Sequence, residues 1–450
     1  MLSLFRISYW SPPRVLVTGF ALIILFGGFL LTLPFSSREG LATPFVDAVF
    51  TATSATCVTG LVTLDTGSYW SIAGQIIIIC LIQVGGLGFM TMSTLFAIVL
   101  RKRISLKERL ILQEAMNQGS IEGIVRLIKR VLIYSLLIEL TGAILLAIRW
   151  SFDMPIGKAV YFGAWHAVSM FNNAGFDLFG QYETPFVSFT GYVDDPIVNF
   201  VVMALIILGG IGFIVMSDVI EHKKNRKLSL HSKVVLTMTG VLLLVGTIVI
   251  FIFEFSNSRT LGGLDWDGKV LASMFQSVAP RTAGPNTIDL TALRQATQFF
   301  IIILMFIGAS PGSTGGGIKT TTFAALIYAV IAMIRGKEDI VMFKMRLHRE
   351  RIFKALTITM LSLALVIMVT MILSTTESHS FILILFETTS AFGTVGLSLG
   401  LTPELTVIGK VLISLTMFVG RLGPLTLAYA LGPRAEKELY RYPEGKITIG

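Results

Sequence analysis

The stretch Ser390-Ala391-Phe392-Gly393-Thr394-Val395-Gly396 ends a short apolar segment in the last quarter of the chain. The segment has the pattern Phe386-x3-Ser390-x5-Gly396, and three earlier segments share its spacing. They read Phe50-x3-Ser54-x5-Gly60, Trp165-x3-Ser169-x5-Gly175 and Met274-x3-Val278-x5-Gly284. Successive glycines are 115, 109 and 112 residues apart. This regular spacing indicates four internal repeats.

Each of the four segments lies between two long apolar segments. It spans about three helical turns, which is too short to cross a bilayer at about 1.5 Å per residue. A half-span must return to the side from which it entered, and this leaves non-helical backbone at membrane depth. Such backbone is tolerated only where it is buried in protein or lines water. The predicted repeat unit is therefore span, half-span, span.

The composition also indicates a membrane protein. Hydrophobic residues make up 54% of the 450 residues and charged residues 14%, against roughly 25% charged in soluble domains. Residues 15–33 carry no charge, Pro34 follows them, and no cleavage motif is present, so we expect a retained first span. The predicted fold is all-α, with eight transmembrane helices and four re-entrant pore helices around one central pore. The repeats are placed at residues 15–100, 128–222, 232–335 and 355–430, before a cytoplasmic tail at 431–450.

The basic residues indicate the orientation. The net charge is +9, and 26 of the 36 Lys and Arg lie in residues 101–130, 223–233 and 335–354 and at the two termini. Short basic clusters beside apolar segments are typical of cytoplasmic loops, so both termini are predicted to be cytoplasmic and nucleic acid is not an expected partner. Cys57, Cys80 and the five histidines show no spacing typical of a disulfide framework or a metal site.

The four glycines predict a cation filter. Four re-entrant loops that meet on one axis form a ring of backbone carbonyls, which replaces the hydration shell of an alkali cation. Glycine suits these positions because it adopts backbone angles that other residues resist. Thr394-Val395-Gly396-Leu397 is close to the filter sequence of potassium channels. The predicted filter, and the only predicted K⁺ site, comprises Val58, Thr59, Gly60, Asn173, Ala174, Gly175, Thr282, Ala283, Gly284, Thr394, Val395 and Gly396.

A second glycine pattern follows each filter, at Gly85-Gly86-Leu87-Gly88, Gly209-Gly210-Ile211-Gly212, Gly315-Gly316-Gly317-Ile318 and Gly420-Arg421-Leu422-Gly423. Glycines inside a span allow close helix packing or a bend. In the third repeat the pattern lies within a polar stretch at residues 308–321. This stretch interrupts an apolar span just inside the filter, so we interpret it as a gate. A surface loop is the alternative. A phosphate-binding loop is not, because Ile318 separates Gly317 from Lys319. The predicted gate residues are Gly312, Ser313, Thr314, Gly315, Gly316, Gly317, Lys319 and Arg421. The two cations either shape the gate or extend to the cytoplasmic interface.

Acidic residues near the filters allow two interpretations. Asp65, Asp177 and Asp289 follow their filter glycines closely, so they either concentrate cations in the outer mouth or are solvated surface acids. Glu139 and Glu387 lie in apolar stretches, where a buried polar tie is favoured over a proton relay.

The filter glycines, the broken third inner helix and Arg421 resemble the KtrB-type subunit of the Trk/Ktr/HKT potassium uptake superfamily. The resemblance covers nearly the whole chain, and its most specific motifs are Asn172-Asn173-Ala174-Gly175-Phe176, Pro280-Arg281-Thr282-Ala283-Gly284 and Ser390-Ala391-Phe392-Gly393-Thr394-Val395-Gly396. It implies potassium uptake across a bacterial plasma membrane. It also implies a homodimer with one pore per subunit and a cytosolic nucleotide-binding ring of the KtrA/KtrC type.

The same resemblance bears on selectivity. Plant relatives that prefer sodium often carry serine in place of the first filter glycine, whereas this chain has Gly60. Repeats two and three lack Thr-Val before their glycine, and no repeat has Gly-Tyr-Gly. The sequence therefore favours potassium and leaves sodium dependence or partial sodium passage open.

Other classes of function fit less well. No catalytic nucleophile set, nucleotide motif or cofactor fingerprint occurs, so neither an enzyme nor a bound cofactor is expected. The chief alternative is a secondary transporter with a midplane site for another small cation or solute. A membrane scaffold leaves the four spaced glycines unexplained. The basic inner loops and residues 434–450 are the expected docking surface for a regulator, beside the membrane lipid that surrounds the chain.

Overall fold

The computed structural model describes residues 11–88, 91, 106–115, 124–181, 184–225, 228–431 and 448. Its helices are α1 (Pro12–Thr32), α2 (Phe45–Cys57), α3 (Ile72–Leu87), α4 (Leu106–Ala115), α5 (Ile124–Trp150), α6 (Ile156–Phe171), α7 (Pro196–Gly210), α8 (Phe213–Asn225), α9 (Leu230–Glu254), α10 (Trp266–Val278), α11 (Gln295–Phe306), α12 (Thr320–Ile334), α13 (Arg349–Thr376), α14 (Phe381–Gly393), α15 (Val407–Leu422) and α16 (Pro424–Leu431). Two short strands, β1 (Val341–Met342) and β2 (Met345–Arg346), pair as an antiparallel hairpin.

Single turns of 3₁₀ helix join several of these elements, at Pro34–Ser36, Phe179–Gln181, Thr190–Tyr192, Leu290–Ala292 and Thr402–Glu404. Among the described residues the regular structure is thus almost entirely helical. The last part of the predicted first repeat, residues 92–100, and most of the predicted tail, residues 432–447, lie outside the described residues.

Four helices are long and apolar enough to cross a membrane on their own: α1, α5, α9 and α13. Each begins one predicted repeat. Large apolar side chains are exposed along all four, among them Phe26, Leu136, Leu244 and Met371. Contiguous apolar surface of this extent is not stable in water, so these faces are suited to lipid.

The helices that end each repeat are shorter or bent. The pairs α7 with α8 and α15 with α16 pass the same length and hydropathy test together, but they bend by 99° and 92° at their junctions. Helices α3, α11 and α12 are apolar but have 16, 12 and 15 residues. By length and composition, four to six spans are therefore present among the described residues.

A short helix precedes every filter glycine. Helices α2, α6, α10 and α14 have 13, 16, 13 and 13 residues and end three, four, six and three positions before Gly60, Gly175, Gly284 and Gly396. Most of their side chains are buried, including Thr51, Ser54 and Thr56 on α2. Their last turns are almost entirely buried, which places the ends that precede the glycines inside the bundle.

The third repeat is broken where the sequence predicted it. Helix α11 ends at Phe306, α12 begins at Thr320, and residues 307–319 run between them without helix. Ile307 and Ile318 form an isolated parallel bridge that closes the base of this loop. The predicted boundary of 308–321 is wrong by two residues at its end, because Thr320 and Thr321 already lie in the first turn of α12.

Candidate functional site

The four filter glycines form a closed ring of contacts. A Cβ atom added at any of them would lie 2.0 to 2.4 Å from a backbone carbonyl oxygen of the next repeat. The pairs are Gly60 with Ala174, Gly175 with Ala283, Gly284 with Val395, and Gly396 with Thr59. Since the last pair joins repeat four to repeat one, the repeats surround one axis in chain order. No side chain larger than hydrogen fits at these four positions.

The amides of the filter segments point away from that axis. Thr59 N donates to Ser54 O at 2.8 Å, and Val395 N donates to Ser390 O at 2.9 Å. The next amides, of Gly60 and Gly396, donate to the hydroxyls of the same two serines at 3.0 and 3.1 Å. Because the N–H groups are used by the preceding helix, the carbonyls remain free to face the ring.

Four filter residues that are not glycine also have left-handed backbone. Val58, Asn173, Thr282 and Thr394 have φ of 59°, 59°, 80° and 49°. Left-handed backbone costs a β-branched residue on the order of 1–3 kcal/mol and tends to occur at functional sites. The sequence gives no sign of this strain, because valine and threonine are poor candidates for such angles. The shared conformation two residues before each glycine shows that the four segments have the same turn.

In repeats one, two and four, the helix that follows the filter packs directly on the end of the pore helix. Cβ atoms at Gly85 and Gly209 would lie within 2.0 Å of the carbonyl oxygens of Thr56 and Phe171, the residues at or next to the ends of α2 and α6. Gly420 has the same relation to Phe392 O. The glycines of the second pattern therefore permit close helix packing, as predicted.

The same pattern also produces bends. Gly88, Gly212 and Gly423 have φ of 84°, 92° and 83°, and each ends or interrupts its helix. Left-handed backbone at these positions is inexpensive only for glycine. Both consequences predicted from the pattern, packing and bending, are thus present in one four-residue segment.

The loop of residues 307–319 is held against the second repeat. Ser310 N and Thr314 N donate to Gly210 O at 3.0 Å and to Gly209 O at 3.3 Å. Phe213 N donates to Gly312 O at 2.9 Å. Ser310 and Thr314 are fully buried. A buried, hydrogen-bonded position does not fit the alternative of a surface loop.

The loop also lies directly under two filter segments. A Cβ at Gly315 would lie 2.1 Å from Thr282 Oγ1, and one at Gly316 would lie 2.4 Å from Thr394 Oγ1. Thr394 Oγ1 is buried and has no hydrogen-bond partner among the described residues. The predicted gate residues are therefore adjacent to the inner end of the predicted filter.

Two cations fix this loop from different sides. Arg421 of α15 donates to Thr314 O in the loop, to Gly85 O, and to Gly86 O at 3.0 Å in α3. Lys319 Nζ donates to Gly315 O at 2.6 Å and to Gly316 O at 3.3 Å. Arg421 thus joins repeats one, three and four, whereas Lys319 bonds within its own loop.

Three aspartates line a cavity of about 290 Å³ on the outer side of the ring. Asp65 accepts hydrogen bonds from Ser68 and from Phe186 N, so it ties two loops together. Asp289 accepts from Thr291 N at 2.9 Å and caps a short turn. Asp177 accepts from Phe179 N at 3.0 Å. All three line this cavity together with the four filter glycines, and none of the Lys and Arg that the structure describes does.

Asp177 is the outer acid most sensitive to pH. Burial, together with the neighbouring Asp65 carboxylate, raises the pKa of Asp177 to about 7. The carboxyl is therefore neutral below that pH and negative above it. We expect the apparent affinity for external K⁺ to rise about twofold from pH 6 to pH 8, which is the effect of one added charge near a solvated site.

The measurement for Asp177 is the concentration dependence of K⁺ uptake across this pH range. Asp177→Asn should flatten the dependence, while Asp289→Asn, whose carboxylate is exposed, should retain it. An unchanged pH dependence in Asp177→Asn would show that another group titrates.

A buried polar cluster stands behind the second filter segment. Gln83 Nε2 donates to both oxygens of Glu139, at 3.1 and 3.2 Å. Asn172 Nδ2 donates to Gln83 Oε1 at 2.7 Å and to Glu139 Oε1 at 3.1 Å. Asn172 directly precedes the filter residue Asn173. The cluster therefore ties α3 and α5 to the filter, in agreement with the predicted polar tie.

Glu387 has a comparable position in the fourth repeat. Its Oε2 accepts from Ser398 Oγ at 2.8 Å, and its Oε1 accepts from the Thr402 hydroxyl. Both hydroxyls follow the filter glycine Gly396. A polar tie fits this geometry better than a proton relay, because both carboxylate oxygens are occupied by hydroxyls of one loop.

Removal of the Glu139 carboxylate should weaken the second filter segment. Glu139→Ala removes both acceptors of Gln83 Nε2 and one acceptor of Asn172 Nδ2, and an unsatisfied buried amide costs roughly 1–3 kcal/mol. We expect a lower melting temperature and increased Na⁺ uptake relative to K⁺. Glu139→Gln keeps the shape of the side chain and one acceptor oxygen, so its melting temperature and its Na⁺ uptake relative to K⁺ should lie between those of Glu139→Ala and the wild type. If Glu139→Ala keeps the wild-type preference for K⁺ over Na⁺, the cluster does not stabilise the filter.

The fold and the ring define a membrane protein of the cation-transport class. The family model of the TrkH cation transport proteins matches residues 16–436. The chain therefore belongs to the TrkH family of cation transport proteins.

Individual relatives extend this similarity over nearly the whole chain. Ktr system potassium uptake protein B of Bacillus subtilis (strain 168) is 45% identical over 98% of this chain and 97% of the relative. The potassium/sodium uptake protein NtpJ of Enterococcus hirae is 42% identical over the same shares. The crystal structure of the potassium transporter TrkH from Vibrio parahaemolyticus has the same fold, with a TM-score of 0.73 at 16% identity over 95% of this chain and 86% of that chain.

Proposed function

We propose that this chain conducts K⁺ into the cell through a gated pore whose filter is the ring of four glycine segments. The observation that carries the proposal is the contact of each filter glycine with a carbonyl of the next repeat, around to repeat one. A closed ring of carbonyls is the group that replaces the water shell of a K⁺ ion. The substrate ion is bound there by Thr59, Ala174, Ala283 and Val395 backbone oxygens.

The pore helices add to the field at this ring. Each of α2, α6, α10 and α14 ends within six residues before its filter glycine, so the negative ends of four helix dipoles lie near the ring. The outer cavity carries Asp65, Asp177 and Asp289 and no basic residue, which raises the local cation concentration at the entrance. These features favour a cation over an anion. They do not by themselves exclude Na⁺.

The proposed topology has eight spans. Helices α1, α5, α9 and α13 begin the repeats, and α3, α7 with α8, α11 with α12, and α15 with α16 end them. Each span that ends a repeat is interrupted by a glycine bend or by the loop of residues 307–319. For this reason none of these spans is a single straight helix long enough to cross a membrane. The repeats are assigned to residues 15–100, 128–222, 232–335 and 355–430, with both termini in the cytoplasm.

The proposed gate is the loop of residues 307–319 together with Arg421. It lies against Thr282 and Thr394 at the inner end of the filter and is held by Gly209, Gly210 and Arg421. A segment in this position blocks the path unless it moves. Because Arg421 of α15 donates a hydrogen bond to Thr314 O in the loop, a small displacement of α15 removes one of the contacts that hold the loop in place.

A homodimer and a cytosolic nucleotide-binding ring of the KtrA/KtrC type complete the proposal. The name of the Bacillus relative as part of a Ktr system supports a partner subunit. The residues 335–354, with seven Lys and Arg, and the basic tail 434–450 are the proposed docking surface. The Enterococcus relative, named as a potassium/sodium uptake protein, supports keeping Na⁺ as a second transported or coupling ion.

Growth at low K⁺ tests the proposed substrate. The gene should restore growth at submillimolar K⁺ to a bacterial strain that lacks its own K⁺ importers, and Rb⁺ uptake should appear with it. Restored growth without measurable uptake of K⁺ or Rb⁺ would contradict potassium uptake. The same holds if the protein is expressed in the membrane but neither growth nor ion uptake is restored.

A further inference from the structure

A second cavity, of about 280 Å³, lies on the side of the loop away from the filter glycines. Its walls are the gate loop, the bent ends of α3 and α15, the helix α16, and the outer helices α1 and α13. None of the filter glycines lines it. It is therefore the space that an ion enters after it passes the gate.

The charges of this cavity have the opposite sign to those of the outer one. Lys319, Lys354 and Arg421 line it, and among the described residues no Asp or Glu does. Lys319 and Arg421 donate to backbone carbonyls, which carry no net charge. Three uncompensated cations beside the exit of a cation pathway raise the energy of every K⁺ that leaves. The charges of this cavity therefore favour the binding of an anion.

Lys354 is free to bind one. It lies on α13, its side chain is exposed, and it makes no hydrogen bond or ion pair with any described residue. Hydroxyl groups line the same space, among them those of Thr322 and Thr426. Several ammonium and hydroxyl donors together suit an anion with several acceptor oxygens, and a phosphate group has such oxygens.

The apolar part of the lining indicates where such a phosphate comes from. Leu16 and Phe20 of α1 and Ile358 of α13 line the cavity beside the basic groups. Both helices also expose large apolar side chains to the surroundings, including Phe26 and Met360. A ligand with a phosphate at one end and acyl chains along α1 and α13 matches both parts of the lining.

We propose that this cavity binds a phosphate-class anion, the headgroup of an anionic phospholipid, held by Lys354 and Lys319. The headgroup neutralises the exit of the pathway and thereby lowers the barrier for the departing cation. This site goes beyond the proposed transport function, since it adds a lipid requirement to the gate.

The test measures binding rather than transport. The full-length protein is reconstituted in vesicles of phosphatidylglycerol and phosphatidylcholine, extracted in mild detergent and analysed by native mass spectrometry. The wild type should retain about one phosphatidylglycerol more per chain than Lys354→Gln and Lys354→Glu, and the difference should shrink as ionic strength rises. Lys337→Gln, a change at an exposed lysine beyond the end of α12, is the matched control and should behave as wild type.

Equal lipid retention by wild type and Lys354→Glu would overturn the proposal. Binding of inorganic phosphate to protein in pure phosphatidylcholine, lost in Lys354→Gln while retained phosphatidylglycerol is unchanged, would assign the site to free phosphate and overturn the lipid source. Since neither readout requires K⁺ flux, failure here is distinguishable from failure of the proposed potassium uptake.

Discussion

Gly396→Ala and Gly60→Ala should each lower the apparent K⁺ affinity of uptake by at least about 100-fold, or abolish uptake. The added Cβ would lie 2.3 Å from Thr59 O in the first variant and 2.4 Å from Ala174 O in the second. One of the two groups must move by more than 1 Å, and displacement of a coordinating carbonyl by that distance removes most of its contribution to ion binding. The serine variants at the same positions add a hydroxyl and should also admit more Na⁺.

Gly400→Ala is the matched control for this result. Gly400 has φ of 95°, close to the 91° of Gly396 and the 93° of Gly60, but nothing lies within 4 Å of its added Cβ. The control therefore carries the same backbone strain, on the order of 1–2 kcal/mol, without a ring contact. It should transport K⁺ as wild type does, with a modestly lower melting temperature. If all three variants transport alike, the ring contacts are packing contacts and the filter assignment is wrong.

Arg421→Ala should increase K⁺ flux in the absence of any regulator by about tenfold or more. The side chain donates to Thr314 O and to the Gly85 and Gly86 carbonyls, and loss of one charged hydrogen bond changes an equilibrium by about that factor. The loop of residues 307–319 then has fewer contacts that hold it across the inner end of the filter. Flux through reconstituted vesicles, measured with Rb⁺, gives the result.

Two further variants distinguish gating from a general loss of structure. Arg421→Lys keeps the charge but cannot reach three carbonyls on two segments at once. Its K⁺ flux should therefore lie between the fluxes of the wild type and Arg421→Ala. Arg335→Ala, at the exposed end of α12, should leave flux unchanged. An Arg421→Ala protein with wild-type flux and wild-type regulation would remove Arg421 from the gate.

The positions of the short helices and of the loop could be predicted from spacing alone. Four glycines at nearly equal intervals require four similar turns, and the structure places a helix before each of Gly60, Gly175, Gly284 and Gly396. The polar run after Ile307 could not continue an apolar helix, and it does not. These features depend on local composition and length, which a sequence carries directly.

The backbone of the filter could not be predicted in the same way. Val58 and Thr394 adopt φ of 59° and 49° against the preference of β-branched residues. Only the convergence of four segments on one axis imposes these angles, and that convergence is a tertiary property. The glycine pattern indicates where the turns are, but not which neighbouring residues share the strain.

The partners of individual charges were also beyond the sequence. Asp65 appeared equivalent to Asp177, yet Asp65 uses both carboxylate oxygens to hold Ser68 and Phe186, while Asp177 accepts from Phe179 N and has a perturbed pKa. Lys319 bonds back into its own loop because Gly315 O and Gly316 O lie four and three residues before it. Such pairings depend on loop conformation rather than on spacing.

The most direct test of the carbonyl ring is the position of the bound ion. Anomalous diffraction from crystals of the protein grown in Rb⁺ should show a peak on the axis enclosed by the carbonyl oxygens of Thr59, Ala174, Ala283 and Val395. A peak beside Glu139 or Glu387 instead, with none on the axis, would contradict the filter and favour a secondary transporter with a midplane carboxylate site.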